Sequence, residues 1–168
     1  MSRRPVIGAE PRIAAQPSEE GLSVGQLMSA ARASLLNSLD AELERFGLNS
    51  THFLVLKHLG EGVAHSAADL CRLNRYDTGA MSRILDRLEE KGLVRRERGR
   101  EDRRVVFLRL APAGRALLPR LLATGTRIID AHLAGFSAAE IEAFKHYLHR
   151  MIDNGQSQEG HQASGGKP

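Results

Sequence analysis

The stretch from Ser66 to Leu110 restricts the fold of this chain more than any other part of it. It opens with Ser66-Ala67-Ala68-Asp69, a serine followed three residues later by an acid that can reach back to it. That spacing marks the start of a helix. The helix is short, ends near Leu73 and is expected to bury Leu70 and Leu73. Asn74-Arg75-Tyr76 reads as a turn, and Asp77 as the N-cap of a longer helix over Thr78–Lys91. Met81, Ile84, Leu85 and Leu88 recur there at helical spacing, with Tyr76 placed to pack on Met81 as a staple. Gly92 stops the helix, and the period then changes to two. Leu93–Arg98 and Arg104–Leu110 read as two strands of a hairpin with a glycine-containing, charged tip, and Val106, Leu108 and Leu110 share its buried face. A short helix, a tight turn, a longer helix and a hairpin, in that order, form a helix-turn-helix with a wing.

The flanking segments are helical. Met28, Ala31, Leu35, Leu39, Leu43 and Phe46 make one stripe on a helix from Leu22 to Phe46, closed by Gly47. This stripe cannot be buried by its own helix and needs another long helix or a second subunit. A second helix begins at Asn49 or Ser50, carries Phe53, Leu56 and Leu59, and ends at Gly60 and Gly62. After the hairpin, Pro112 suits the first turn of a helix, while Pro119 is expected to kink that helix or break it in two. Ser137-Ala138-Ala139-Glu140 opens a last helix bearing Ile141, Phe144, Leu148, Met151 and Ile152. The expected fold is mainly α with a small β-hairpin, a winged helix-turn-helix core between N- and C-terminal helices. One folded domain covers 21–154. Residues 1–20, with three of the six prolines and no apolar period, read as a flexible arm, and the Gly/Ser/Gln-rich residues 155–168 as an unstructured tail.

A net charge of +4 over 168 residues says little until it is located. Six arginines (Arg95, Arg96, Arg98, Arg100, Arg103 and Arg104) crowd the hairpin against Glu97, Glu101 and Asp102. Arginine at a thin hairpin tip can enter a minor groove, and arginines on its flanks can hold phosphates. The alternative is a solvated hairpin with internal ion pairs. Off its buried stripe, the Thr78 helix carries Thr78, Gly79, Ser82, Arg83, Asp86 and Arg87. Small residues at its N-terminal end let the backbone approach a major groove, where Arg83 can reach a guanine edge or a phosphate.

Other functions find less support. The lone Cys71 excludes an internal disulfide and fits a reducing cytosol. No secretory signal is evident, and no stretch approaches the roughly 20 apolar residues of a membrane span, so a cytoplasmic protein without a membrane partner is expected. No phosphate-binding loop, Gly-x-Ser-x-Gly or His-Glu-x-x-His motif suggests an enzyme or a cofactor. His146 and His149, three apart with His132 upstream, lack the further ligands of a metal site. Cys71 could serve a thiol-responsive regulator or simply fill a buried space. A non-specific architectural DNA-binding protein would share the basic wing, as would a winged helix that binds only protein.

The run from Ala80 to Val94, Glu101-Asp102-Arg103-Arg104 and Leu110-Ala111-Pro112-Ala113-Gly114 resembles the MarR (multiple antibiotic resistance regulator) family. Asp102, Arg104 and Leu110 match its wing pattern, Asp-x-Arg, five residues, then Leu-Thr; Ala111 stands where the threonine would be and removes a helix N-cap, a loss of about 0.5–2 kcal/mol. The resemblance covers residues 22–154 in element order. It implies a homodimer held by Leu22–Phe46 and Ser137–Asn154, with each Thr78 helix in a major groove and each wing in the neighbouring minor groove. The DNA-contacting residues would be Thr78, Gly79, Ser82, Arg83, Arg87, Arg100, Arg103 and Arg104, with Asp102 orienting the wing arginines. Two-fold symmetry implies a pseudo-palindromic operator with half-sites one helical turn apart. Family members commonly repress genes and release DNA on binding small aromatic anions, for which Arg32, His52 and Arg115 are candidate pocket liners.

Overall fold

The computed structural model describes residues 22–99 and 106–164. Six helices and one hairpin follow in the order α1 (Val24–Leu43), α2 (Ser50–Gly60), α3 (Ala67–Asn74), α4 (Thr78–Glu90), β1 (Val94–Arg98), β2 (Val106–Leu110), α5 (Pro112–His132) and α6 (Ala138–Ser164). Their starts are set by side chains that take up otherwise unpaired backbone N–H groups. Ser23 with Gln26, Asn49 with His52 and Ser66 with Asp69 each form a reciprocal box, and Asp77 caps α4 by accepting from the Ala80 N–H at 2.8 Å. Ala111, with no side chain able to cap, begins α5 without such a bond.

Leu43, Leu56, Leu70, Met81, Leu85, Leu88 and Leu121 form the fully buried centre, joining α1 to α5 into one core. The hairpin is antiparallel, with Val94 opposite Leu110 and Arg96 opposite Leu108. The Leu108 N–H donates to the His65 carbonyl at 2.8 Å, which ties β2 to the start of the helix-turn-helix. Glu42 on α1 bonds Arg127 on α5 at 2.8 Å, and Ser34 meets His132 at 3.2 Å.

Four features differ from the sequence reading. α5 is not broken in two at Pro119: it continues as one helix, held in the core on either side by Gly114, Leu121, Thr124 and Ile128. Leu73 is 46% exposed, since α3 presents Ala67, Leu70, Cys71 and Asn74 to the core and Leu73 falls beside that face. Val106, at the outer end of β2, is likewise largely exposed while Leu108 and Leu110 are buried. The last helix continues to Ser164, past the expected end at Asn154; Gln, Glu and Ala are compatible with helix, and Gly155 and Gly160 weaken it without the steric block that proline would bring.

Burial along α1 is uneven. Leu39 and Leu43 are buried, but Val24, Leu27 and Met28 are exposed, as is Leu22 just before the helix. Phe144, Tyr147, Met151 and Ile152 on α6 are exposed as well. These two helices therefore carry runs of exposed apolar residues along one length each.

Candidate nucleic-acid interface

The turn between α3 and α4 is tightly made. Arg75 adopts a left-handed conformation (φ 54°), and the Tyr76 N–H donates to the Cys71 carbonyl at 3.2 Å. The Tyr76 hydroxyl meets Thr51 Oγ1 at 2.9 Å, which ties the turn to α2. Met81, the residue expected beneath Tyr76, is fully buried. Hydrogen bonding from the Ala80 N–H holds the Asp77 carboxyl below the usual carboxylate range.

At about 100° per residue, Gly79, Arg83, Asp86 and Glu90 centre the exposed face of α4. Thr78, Ser82 and Glu89 lie on its wing side, and Arg87 lies on the side of α2, near His52. A Cβ on Gly79 would press lightly on Asp77 Oδ1 at 3.3 Å, the oxygen that caps α4, and would meet nothing else closer than Arg83 Nη1 at 3.8 Å. The smallness of Gly79 is also available to something outside the subunit. Thr78 and Ser82 also line a cleft of about 290 Å³ between α4 and the hairpin, with Leu85, Arg96, Val106 and Leu108.

The stem of the wing consumes much of its own charge. Arg95 pairs with Glu97 at 2.6 Å, and Arg109 approaches the same carboxylate at 3.9 Å. Arg96 pairs with Asp86 at 2.6 Å and with Glu89, and the bond to Asp86 is the main reason its pKa is raised. Internal pairing, an alternative reading of the arginine cluster, thus applies to the stem. Arg98 has no ion-pair partner among the described residues. Arg100, Asp102, Arg103 and Arg104 lie outside the described residues.

Arg32, His52 and Arg115 occupy separate places. Arg32 is exposed on α1. His52 is buried, and its Nδ1 accepts the Asn49 N–H at 3.2 Å, so it serves helix capping. Burial, with Arg87 and Lys91 nearby, lowers its pKa. Arg115 donates to the Leu110 carbonyl at 2.6 Å and lines a cavity of about 520 Å³ with Leu59, Leu118, Leu122, Arg95 and Arg109. Arg95 and Arg109 were not singled out as pocket residues from the sequence, although their pairing on the outer face of the hairpin follows from two-residue alternation. Cys71 is half-buried against the core, and no group of histidines, cysteines and acids suited to a metal occurs among the described residues.

The family model of the MarR family matches residues 46–105, from just after α1 to the hairpin. The HTH-type transcriptional repressor Rv2887 of Mycobacterium tuberculosis is 31% identical over 129 residues, spanning 76% of this chain and 92% of that protein. The chain belongs to the MarR family. The HTH-type transcriptional regulator MhqR of Bacillus subtilis is 28% identical over 137 residues, covering 80% of this chain and 92% of MhqR. Among solved structures, Bordetella bronchiseptica BpsR superposes with a TM-score of 0.68 at 24% identity, covering 86% of this chain and 99% of BpsR. The fold is thus a MarR-type winged helix, and the protein is a DNA-binding transcription regulator rather than an enzyme. No helix among the described residues is long and apolar enough to cross a membrane.

Proposed function

We propose that this MarR-family regulator is a homodimeric repressor that reads a pseudo-palindromic operator and leaves it when a small aromatic anion binds. The observation that carries this reading is the pairing of two surfaces on one subunit. One is the exposed, polar face of α4, with Gly79 and Arg83 at its N-terminal half. The other is the apolar surface of α1 and α6, which no other described residue covers. A second copy docked there would set two α4 helices apart, each facing a major groove about 34–36 Å from the other. Gly79 and Arg83 would face that groove, flanked by Thr78 and Ser82 on the wing side and by Arg87 on the other; Arg103 or Arg104 would enter the minor groove beside it, Arg100 would also contact DNA, and Asp102 would orient the wing arginines. Work on chromosomal DNA would be carried out in the cytoplasm.

The ligand part of the reading has two supports. In BpsR of Bordetella bronchiseptica, DNA binding is regulated by 6-hydroxynicotinic acid. The cavity of about 520 Å³ beside Arg115 has a size suited to a small molecule and sets Arg95, Arg109 and Arg115 against a single acid, Glu97. An aromatic ring would rest on Leu59, Leu118 and Leu122 and a carboxylate would meet arginine. Arg32 and His52 do not line this cavity.

The test is selection of a duplex from a random-sequence pool by the purified protein, followed by titration of that duplex and a scrambled one. A sequence-specific regulator should prefer the selected site by about 10³-fold or more. Arg103→Ala with Arg104→Ala should abolish most of that preference, and 6-hydroxynicotinate or salicylate should weaken binding in the wild type. Equal binding to both duplexes would indicate an architectural role. Release by peroxide that is lost in Cys71→Ser would indicate a thiol switch instead of a ligand switch.

A further inference from the structure

Arg96 leaves β1 toward α4 and meets two carboxylates there. Its Nη2 donates to Asp86 Oδ1 at 2.6 Å, its Nη1 donates to Glu89 Oε2, and its backbone N–H donates to Glu89 Oε1 at 3.3 Å. One residue of the wing is thereby fastened to two acids one turn apart on the recognition helix. The chain between these elements turns at Gly92, whose φ of +67° marks a sharp reversal. Val94, Leu108 and Leu110 pack the base of the hairpin into the core beside Leu85, while a cleft of about 290 Å³ bordered by Thr78, Ser82, Arg96 and Val106 opens between α4 and the outer part of the hairpin. The buried base and the Leu108–His65 bond hold the inner end of the hairpin, and beyond them the rigid guanidinium fork of Arg96 is well suited to fix the outer part against α4.

We infer that Arg96 is a positioning residue: it sets the angle of the wing against α4 and so governs affinity for DNA without touching it. This rests on the proposal that the wing enters the minor groove. The lever explains the magnitude. A strand of five residues at about 3.4 Å each extends about 17 Å, so a rotation of about 10° at the stem moves the tip about 3 Å, roughly the length of a hydrogen bond. Such a shift takes a wing arginine out of reach of its groove.

A rival role for Arg96 is charge neutralisation, since Asp86 lies near the centre of the exposed face of α4 and would repel phosphate if bare. Both roles are separated on the duplex selected as above. Arg96→Ala should weaken binding about tenfold, with a hydroxyl-radical footprint that loses its outer, minor-groove protection and keeps the major-groove part. Its melting temperature should not change, because exposed ion pairs contribute little to folding. Arg96→Ala/Asp86→Asn/Glu89→Gln should stay equally weak. Added to Arg103→Ala/Arg104→Ala, Arg96→Ala should produce no further loss. Recovery of binding in the neutralised triple variant would overturn the inference in favour of charge. Unchanged binding by Arg96→Ala, or a further loss in the Arg103/Arg104 background, would also overturn it. If the Arg103/Arg104 variant itself binds like wild type, the minor-groove reading of the wing fails and the positioning role goes with it.

Discussion

A Cβ placed on Gly114 would come within 2.1 Å of the Leu93 carbonyl oxygen, so the first turn of α5 rests directly on the backbone that leads into the hairpin. The same carbonyl accepts the Ala111 N–H at 2.9 Å. Gly114→Ala cannot be relieved by rotating a side chain, because the obstacle is backbone. Overfilling a packed site costs about 1–3 kcal/mol, and this substitution should reach the upper end of that range. Thermal unfolding should show a melting temperature lowered by several degrees. An unchanged midpoint would mean that α5 can move away from Leu93 freely.

His52 links pH to stability. Its Nδ1 accepts the Asn49 N–H, which requires the neutral ring, and burial lowers its pKa below the free value of 6.5. A group that is harder to protonate in the folded state gives its full contribution above the unfolded pKa. That contribution is lost as pH falls from about 6.5 toward the folded value. The melting temperature should therefore drop between pH 7 and pH 5. His52→Gln keeps a residue suited to the box and does not titrate, so it should flatten that part of the profile. An identical drop in the variant would assign the effect to other groups.

Arg83 sits near the middle of the exposed face of α4. Arg83→Ala should cost about 1–3 kcal/mol in binding if it reads a base edge, and preference should relax at one position of each half-site. Titration of duplexes substituted position by position checks this. A uniform loss across all of them, with a shallower salt dependence, would make Arg83 a phosphate contact.

Phe144 and Met151 test the pairing of subunits. Both are nearly half exposed on α6. Phe144→Arg with Met151→Arg should convert a dimer into a monomer in sedimentation equilibrium and weaken operator binding at least tenfold. A protein that remains dimeric would move the interface elsewhere.

Local chemistry carried much of the fold in readable form. Ser66 with Asp69, Asp77, and Ser137 with Glu140 act at the helix starts where their spacing places them, with bonds between about 2.7 and 3.3 Å. The change of period after Gly92 gave the hairpin, and the face of α4 was legible from its apolar stripe. What could not be read depended on contacts between distant elements. Arg96 looked like one more cation until the hairpin folded back and brought Asp86 and Glu89 to it. Gly114 looked like part of a motif, and only its contact with Leu93 gives the reason for it. Leu73 shows the limit of a short helix, where two leucines three residues apart need not share a buried face. His52, one of three candidate ligand residues, turned out to complete a cap whose first member, Asn49, was visible but whose reciprocal bond was not.

A second copy seated on the exposed faces of α1 and α6, as proposed above, would make this chain depend on its own abundance. Covering that surface would stabilise the fold, so the unfolding midpoint should climb with protein concentration. In a cell holding few copies, occupancy of an operator would then fall faster than the copy number itself, because two chains must meet before one site can be filled. Synthesis rate, as much as any effector, would become an input to the switch.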